Sequence, residues 1–214
     1  MLKILVLCGD YWHPAEVIEM GMKPLEKHFC ITYIRDAKDI LTLEFMESFQ
    51  VIVCCKGNHI NEANSNEWFE ESVTEVMPEN FSDWVRRGKG LLFIHAGNTY
   101  KKEEGFSKLS GNFFIGHPPR CEMRIEPLEH PVTEGVKSFT THDEHYQIEI
   151  TESDVEVFLK TYSQQGGEQT GGYTRTVGAG RVCVLTPGHI WDVWHRQEYQ
   201  TLVKNAIEWC AGLR

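Results

Sequence analysis

Each of three histidines follows an apolar run that has the length of a β-strand. The pairs of run and histidine are Lys3–Cys8 with His13, Leu91–Ile94 with His95, and Arg181–Leu185 with His189. An imidazole can act as a general base, donate a proton or bind a metal ion. Because parallel strands end at the same edge of a sheet, we expect His13, His95 and His189 to share one cleft.

His95 is the strongest of these candidates. It stands directly behind four large apolar residues and before Ala96-Gly97-Asn98, which indicates a tight turn from strand to loop. The same arrangement displays a nucleophile where the residue is Ser or Cys. A histidine that only caps the strand is the alternative interpretation.

Carboxylates accompany histidines in the stretch His142-Asp143-Glu144-His145-Tyr146. Carboxylates beside imidazoles shift each other's pKa, which general acid–base catalysis requires. A solvated loop has the same composition, and composition alone favours the loop. The alternating segment 147–150 that follows predicts a strand, so this acidic group also lies at a strand edge.

Other side chains are candidates for binding a substrate. His117 lies in the rigid turn Gly116-His117-Pro118-Pro119, and Asn98 lies in the turn after His95. Tyr146 and Trp191 offer aromatic faces on which a sugar could stack. For Trp191, packing beneath the last helix is an equally good interpretation.

Composition excludes several classes of protein. Lys and Arg number 21 against 31 Asp and Glu, giving a net charge of −10, and basic residues cluster only at Arg86-Arg87 and Lys101-Lys102. A nucleic-acid-binding protein collects such residues in a patch, so we expect no nucleic-acid partner. No apolar run is long enough to span a membrane, and the first is too short for a secretion signal. We therefore expect a cytoplasmic protein.

The seven cysteines are expected to be free thiols. Their number is odd, and no two have C-x-x-C spacing, the commonest zinc and redox signature. Most lie in or beside apolar runs and read as buried small hydrophobic residues. Cys55, at a strand end, is the one that could be exposed.

The pattern of elements predicts an α/β fold. Continuous apolar strands alternate with helical segments, as in a parallel sheet covered on both faces. The predicted strands are Lys3–Cys8, Ile31–Ile34, Val51–Cys55, Leu91–Ile94 and Val155–Thr161, with an edge strand at Cys121–Ile125 and a hairpin of Thr174–Val177 and Arg181–Thr186. The predicted helices are Pro14–His28, Phe81–Arg87 and Gln197–Ala211, and 163–172 reads as a loop.

Seven short segments, in this order, resemble the trehalose-utilisation (ThuA-like) family of the class I glutamine amidotransferase-like superfamily. They are GKGLLFIHAG (88–97), GHP (116–118), HPVTEG (130–135), DEHY (143–146), GAGRV (178–182), PGH (187–189) and NAIEW (205–209). The resemblance covers most of the chain. It implies one domain, 1–214, folded as a flavodoxin-like three-layer α/β/α sandwich with a mainly parallel sheet.

The resemblance also says what the chain does not do. Amidotransferases of this class carry Gly-x-Cys-x-Gly at the elbow where this chain has Phe93-Ile94-His95-Ala96-Gly97. An imidazole there cannot attack a glutamine amide as a thiolate does, so we expect no glutaminase activity. If the alignment is wrong, Cys54 or Cys55 is the nucleophile that it misses.

Family members are associated with sugar utilisation, which implies a small sugar-like ligand. As an enzyme, the chain would use His95 as acid or base and Glu144 or Asp143 as its carboxylate partner. His117 and His189 would orient hydroxyl groups or hold a metal ion. The alternative is a non-catalytic carbohydrate-binding or regulatory module on the same fold. A structural subunit, in which the Trp-rich C-terminal segment joins copies into a homo-oligomer, ranks last.

A divalent metal ion, zinc, manganese or iron, is the one cofactor that the residues suggest. Asn98 stands where one subgroup of the family has a second histidine near the elbow, which weakens a site built there. A site of His95 and His189 with a carboxylate stays open. The chain has no G-x-G-x-x-G after its first strand and no P-loop, so no nucleotide cofactor is expected.

Overall fold

The computed structural model describes residues 1–10, 12–35, 37, 40–57, 78–99 and 105–214. The basic pair Lys101-Lys102 lies outside the described residues. The strands within these described ranges are β1 (Leu2–Leu7), β2 (Phe29–Ile34), β3 (Val51–Cys54), β4 (Gly90–Ile94), β5 (Asn112–Gly116), β6 (Cys121–Pro127), β7 (Phe139–Asp143), β8 (Gln147–Ile150), β9 (Glu156–Ser163), β10 (Gly167–Val177) and β11 (Gly180–Leu185). The helices are α1 (Ala15–Met22), α2 (Leu43–Glu47), α3 (Pro78–Arg86), α4 (Gly105–Ser110), α5 (Trp191–Trp194) and α6 (Gln197–Cys210).

Nine of the strands form one sheet in the order β2-β1-β3-β4-β11-β10-β9-β6-β7. The first five are parallel, and the remaining four extend the sheet through antiparallel pairs. Strands β5 and β8 form a separate antiparallel pair. The predicted α/β fold with a mainly parallel central sheet is confirmed.

Apolar side chains on both faces of the sheet explain the layers. Along β4, Leu92 and Ile94 join a core with residues of α1, α5 and α6, whereas Leu91 and Phe93 join a second core with residues of α3 and α4. All four side chains are fully buried. A strand buried on both faces has no polar alternation, which is why the sequence shows continuous apolar runs here.

Two details of the second half differ from the sequence-based expectation. Strand β6 is not an edge strand, because β7 pairs with its free side. Most of 163–172, expected to be a loop, belongs to β10, which pairs with β9. Gly171 serves close packing, because a Cβ there would lie 2.6 Å from the Thr161 side chain, and the ladder shifts register at this point.

The cysteines are free thiols, as expected, but their exposure corrects one assignment. Cys55 is 1 % exposed, because the end of β3 is covered by the core, and Cys30 on β2 is the exposed one. Among the described residues, no helix is long and apolar enough to cross a membrane.

Candidate functional site

His95 occupies a strained elbow at the end of β4. Its φ of 46° makes it the one non-glycine residue with positive φ in the part of the chain that the structure describes. Glycines allow the chain to pack around this turn, since a Cβ on Gly97 would lie 2.2 Å from the Cys54 carbonyl oxygen and one on Gly188 would lie 2.9 Å from Ile94. Strain of this kind persists where the surroundings enforce it, and it is frequent at functional sites.

Hydrogen bonds fix the orientation of the His95 ring. Nδ1 donates to the Thr186 carbonyl oxygen at 2.8 Å, so Nε2 is the nitrogen that faces the other site residues. The ring of Tyr146 stacks on it at 3.8 Å between centroids. Burial lowers the pKa of His95 to about 4, against an opposing effect of the neighbouring Glu144 carboxylate. The imidazole is therefore neutral near pH 7.

Glu144 lies at the centre of the site, directly after β7. Its Oε2 is 3.4 Å from His95 Nε2, 3.4 Å from His117 Nε2 and 3.2 Å from His189 Nδ1. Burial raises the pKa of Glu144, but the neighbouring imidazoles of His189 and His95 outweigh this effect and leave the pKa well below its usual range. The group is therefore a carboxylate surrounded by three imidazoles.

His13 completes the cluster from the end of β1. Its ring centroid is 5.2 Å from that of His95 and 4.9 Å from that of His189. Nδ1 donates to the Asp10 carboxylate at 2.7 Å, whereas Nε2 is buried without a hydrogen-bond partner. The Asp10 carboxylate also accepts from the backbone N–H groups of His13 and Gly57, at 2.9 and 2.8 Å.

Asp10 is a site residue that the sequence reasoning missed. Its signal is local, an Asp in the turn after β1 and three residues before a histidine. Asp in such a turn commonly accepts hydrogen bonds from the backbone that follows it. Burial alone would raise the pKa of Asp10, but the hydrogen bond with His13 reverses the effect and lowers it.

Asp143 has a different place from the one expected. Its carboxylate is not among the close donor atoms of the cluster and accepts hydrogen bonds from the backbone N–H groups of Gly188 at 2.7 Å and His189 at 3.1 Å. Burial raises its pKa to about 7, with the Gly188 N–H acting in the opposite direction. The geometry makes Asp143 a residue that positions the loop carrying His189.

Two other candidates lie outside the cluster. Asn98 is fully buried, and its Nδ2 donates to the Leu185 carbonyl oxygen at 3.2 Å. Trp191 is 43 % exposed and stacks on His195 with centroids 5.8 Å apart. Trp194 is buried, so only Trp191 of this tryptophan pair is available to a ligand or a partner.

The structure thus brings together His13, His95 and His189, each of which follows a parallel strand. Glu144, His117 and Tyr146 lie beside them. Residues 3–210 match the family described as ThuA, trehalose utilisation. The chain belongs to the ThuA family. A comparison with curated proteins found no match.

Solved structures share the fold of this family member. A putative ThuA-like protein from Bacteroides uniformis ATCC 8492 is similar with a TM-score of 0.75 and 20 % identity, over 98 % of this chain and 91 % of that one. A cytoplasmic protein from Salmonella typhimurium LT2 has a TM-score of 0.72 and 14 % identity, over 98 % and 99 %. A glutamine amidotransferase from Thermotoga maritima has a TM-score of 0.64 and 10 % identity, over 98 % of both chains.

We expect no ammonia release from glutamine, despite the fold shared with an amidotransferase. The elbow carries His95, and the nearby Cys54 and Cys55 are both 1 % exposed. Burial raises the pKa of Cys55 well above its ordinary value, so its reactive thiolate form is absent near neutral pH. A coupled ammonia assay with glutamine checks this. Ammonia release above the buffer rate would contradict the prediction, and loss of that release in Cys54→Ala or Cys55→Ala would identify the cysteine responsible.

Proposed function

We propose that this chain is an enzyme of sugar utilisation that acts on a sugar or an oxidised sugar derivative by proton transfer at the His/Glu144 cluster. The observation that carries the proposal is the convergence of three imidazole nitrogens on one oxygen of Glu144, at 3.2 to 3.4 Å. Proton transfer to and from hydroxyl or carbonyl groups needs such groups within hydrogen-bond reach of the substrate.

His117 is the member of the cluster that we assign to proton exchange with the substrate. Its side chain is 32 % exposed, whereas that of His95 is 2 % exposed. Nδ1 of His117 donates to the Pro118 carbonyl oxygen at 2.9 Å, which leaves Nε2 as the exchanging position toward Glu144. Tyr146 packs between the His95 and His117 rings and keeps the latter in place.

Membership of the ThuA family supports the sugar as substrate class. A cluster of histidines and a carboxylate suits a ligand with several hydroxyl groups, because each hydroxyl can both donate and accept a hydrogen bond. We also propose that the protein works in the cytoplasm. The cytoplasmic protein from Salmonella with the same fold and the free cysteines support that location.

The test is a screen of sugars and oxidised sugars for product formation, followed by kinetics of His117→Ala. We expect this variant to lower kcat by about 10²-fold, the lower end of the range for loss of a proton-transfer group. His142→Ala is the matched control, since His142 is an exposed histidine outside the cluster, and its kcat should equal that of the unmodified protein.

Two outcomes would contradict the proposal. Equal kcat values for His117→Ala and the control would remove His117 from proton exchange. Ligand binding without any product, across the screen, would favour the non-catalytic carbohydrate-binding module instead.

A further inference from the structure

We infer that His13, His95, His189 and Glu144 form a binding site for one divalent first-row transition metal ion. Each residue offers one donor atom, and the four atoms lie within 4.8 Å of one another. These residues also belong to the proposed catalytic cluster, but the metal ion would bind there whether or not a sugar is turned over.

The spacing of the donor atoms fits such an ion. His95 Nε2 is 3.2 Å from His189 Nδ1, and Glu144 Oε2 is 3.4 and 3.2 Å from these two nitrogens. Ligands at about 2.0–2.1 Å from a tetrahedral ion are about 3.3–3.4 Å apart, by simple geometry. Three of the four donors therefore already have the separations that a shared metal ion imposes.

The hydrogen bonds around the cluster turn lone pairs inward. A carbonyl oxygen can only accept, so His95 Nδ1, bonded to the Thr186 carbonyl, carries the ring proton and leaves Nε2 with its lone pair. In the same way Asp10 holds the proton on His13 Nδ1 and leaves a lone pair on Nε2. These two lone pairs and those of the Glu144 carboxylate meet in one small space, which a cation stabilises.

His13 supplies an observation that is independent of the spacing. Its Nε2 is one of three buried side-chain N or O atoms without a hydrogen-bond partner in the described part of the chain, and the residue is only 7 % exposed. Leaving such an atom unpaired destabilises a folded protein, because the atom has lost its hydrogen bond with water. Coordination of a metal ion removes this cost, because Nε2 then has a partner.

The groups behind the donors are those of a metal site. Ligating histidines generally donate their other ring N–H to a carboxylate or a backbone carbonyl, which orients the ring. His13 does so to Asp10 and His95 to Thr186, and Asp143 holds the backbone of His189. Three imidazoles with one carboxylate suit zinc, iron or manganese, since imidazole favours the first two and carboxylate the last.

The experiment measures metal content and affinity, using full-length protein without a polyhistidine tag. Protein stripped with a chelator is titrated with Zn²⁺, Co²⁺, Mn²⁺ and anaerobic Fe²⁺ by calorimetry, and Co²⁺ binding is also followed by its visible absorption. We expect one ion per chain. Binding should also raise the melting temperature, because the ion binds the folded state.

His13→Asn is the decisive variant. Asn keeps a donor toward Asp10 and lacks the Nε2 position, so the turn after β1 is retained while a ligand is lost. We expect affinity to fall by about 100-fold or more, since loss of outer-shell partners alone costs 10–100-fold. For Asp10→Asn, which alters only an outer-shell partner of His13, we expect the metal affinity to fall by about 10–100-fold. His142→Ala is the control, because His142 is an exposed histidine outside the four donors, and the metal affinity of this variant should stay within a few fold of that of the unmodified protein.

Three results would overturn the inference. One is the absence of stoichiometric binding for all four ions. Another is equal metal affinity in His13→Asn and the unmodified protein, and the third is metal binding that the control His142→Ala weakens as much as His13→Asn does. Stoichiometric binding together with no turnover in the sugar screen would support the metal site and contradict the proposed enzyme, so the two failures are distinguishable.

Discussion

His95→Asn is expected to lower kcat by between about 10²- and 10⁴-fold and to leave the protein folded. Asn tolerates the left-handed backbone at this position, where φ is 46°, better than most residues do. Its amide can replace Nδ1 as donor to the Thr186 carbonyl, so this buried acceptor keeps a partner. What Asn lacks is Nε2, the nitrogen that faces Glu144 and His189.

The choice of Asn over Ala makes this prediction decisive. Both substitutions remove the ring that stacks on Tyr146, but His95→Ala would also leave the Thr186 carbonyl unpaired, so a loss of turnover could reflect misfolding. The measurement is kcat on the substrate found in the screen, with urea unfolding of both proteins in parallel. A His95→Asn variant with unaltered kcat would show that Nε2 takes no part in the reaction.

Much of the fold follows from local sequence patterns, because its parallel half is built from fully buried strands. Runs such as Val51–Cys54 and Gly90–Ile94 are apolar on both faces, and this leaves little choice of partner or layer. The antiparallel half is less predictable. The residues of Cys121–Pro127 do not indicate that β7 pairs with the free edge of this strand, because the pairing depends on a segment elsewhere in the chain.

The site shows the same division between local and non-local information. His13, His95 and His189 could be placed together from topology, as each follows a strand of the parallel half. Glu144 and Asp143 are adjacent in sequence, so composition could not tell which one enters the cluster. The answer depends on the Gly188–His189 backbone, whose N–H groups take up the Asp143 carboxylate and leave Glu144 to the histidines.

That division of roles leads to a prediction about stability. Asp143→Ala would leave the backbone N–H groups of Gly188 and His189 without their acceptor in a buried place. Each unpaired group costs about 1–3 kcal/mol, so we expect the free energy of unfolding to fall by about 2–6 kcal/mol. Asp143→Asn keeps one acceptor oxygen and should cost less than Asp143→Ala.

Urea unfolding of Asp143→Ala, Asp143→Asn and Asp154→Ala checks the ranking. Asp154 is a matched acidic control, because it pairs with Arg175 at 3.1 Å at a site where its own side chain is 48 % exposed. A pair of that kind contributes less than about 1 kcal/mol. If Asp143→Ala were no less stable than Asp154→Ala, the Asp143 carboxylate would not hold the His189 loop. That result would favour the sequence-based prediction that Asp143 takes part in the reaction as a carboxylate partner of His95.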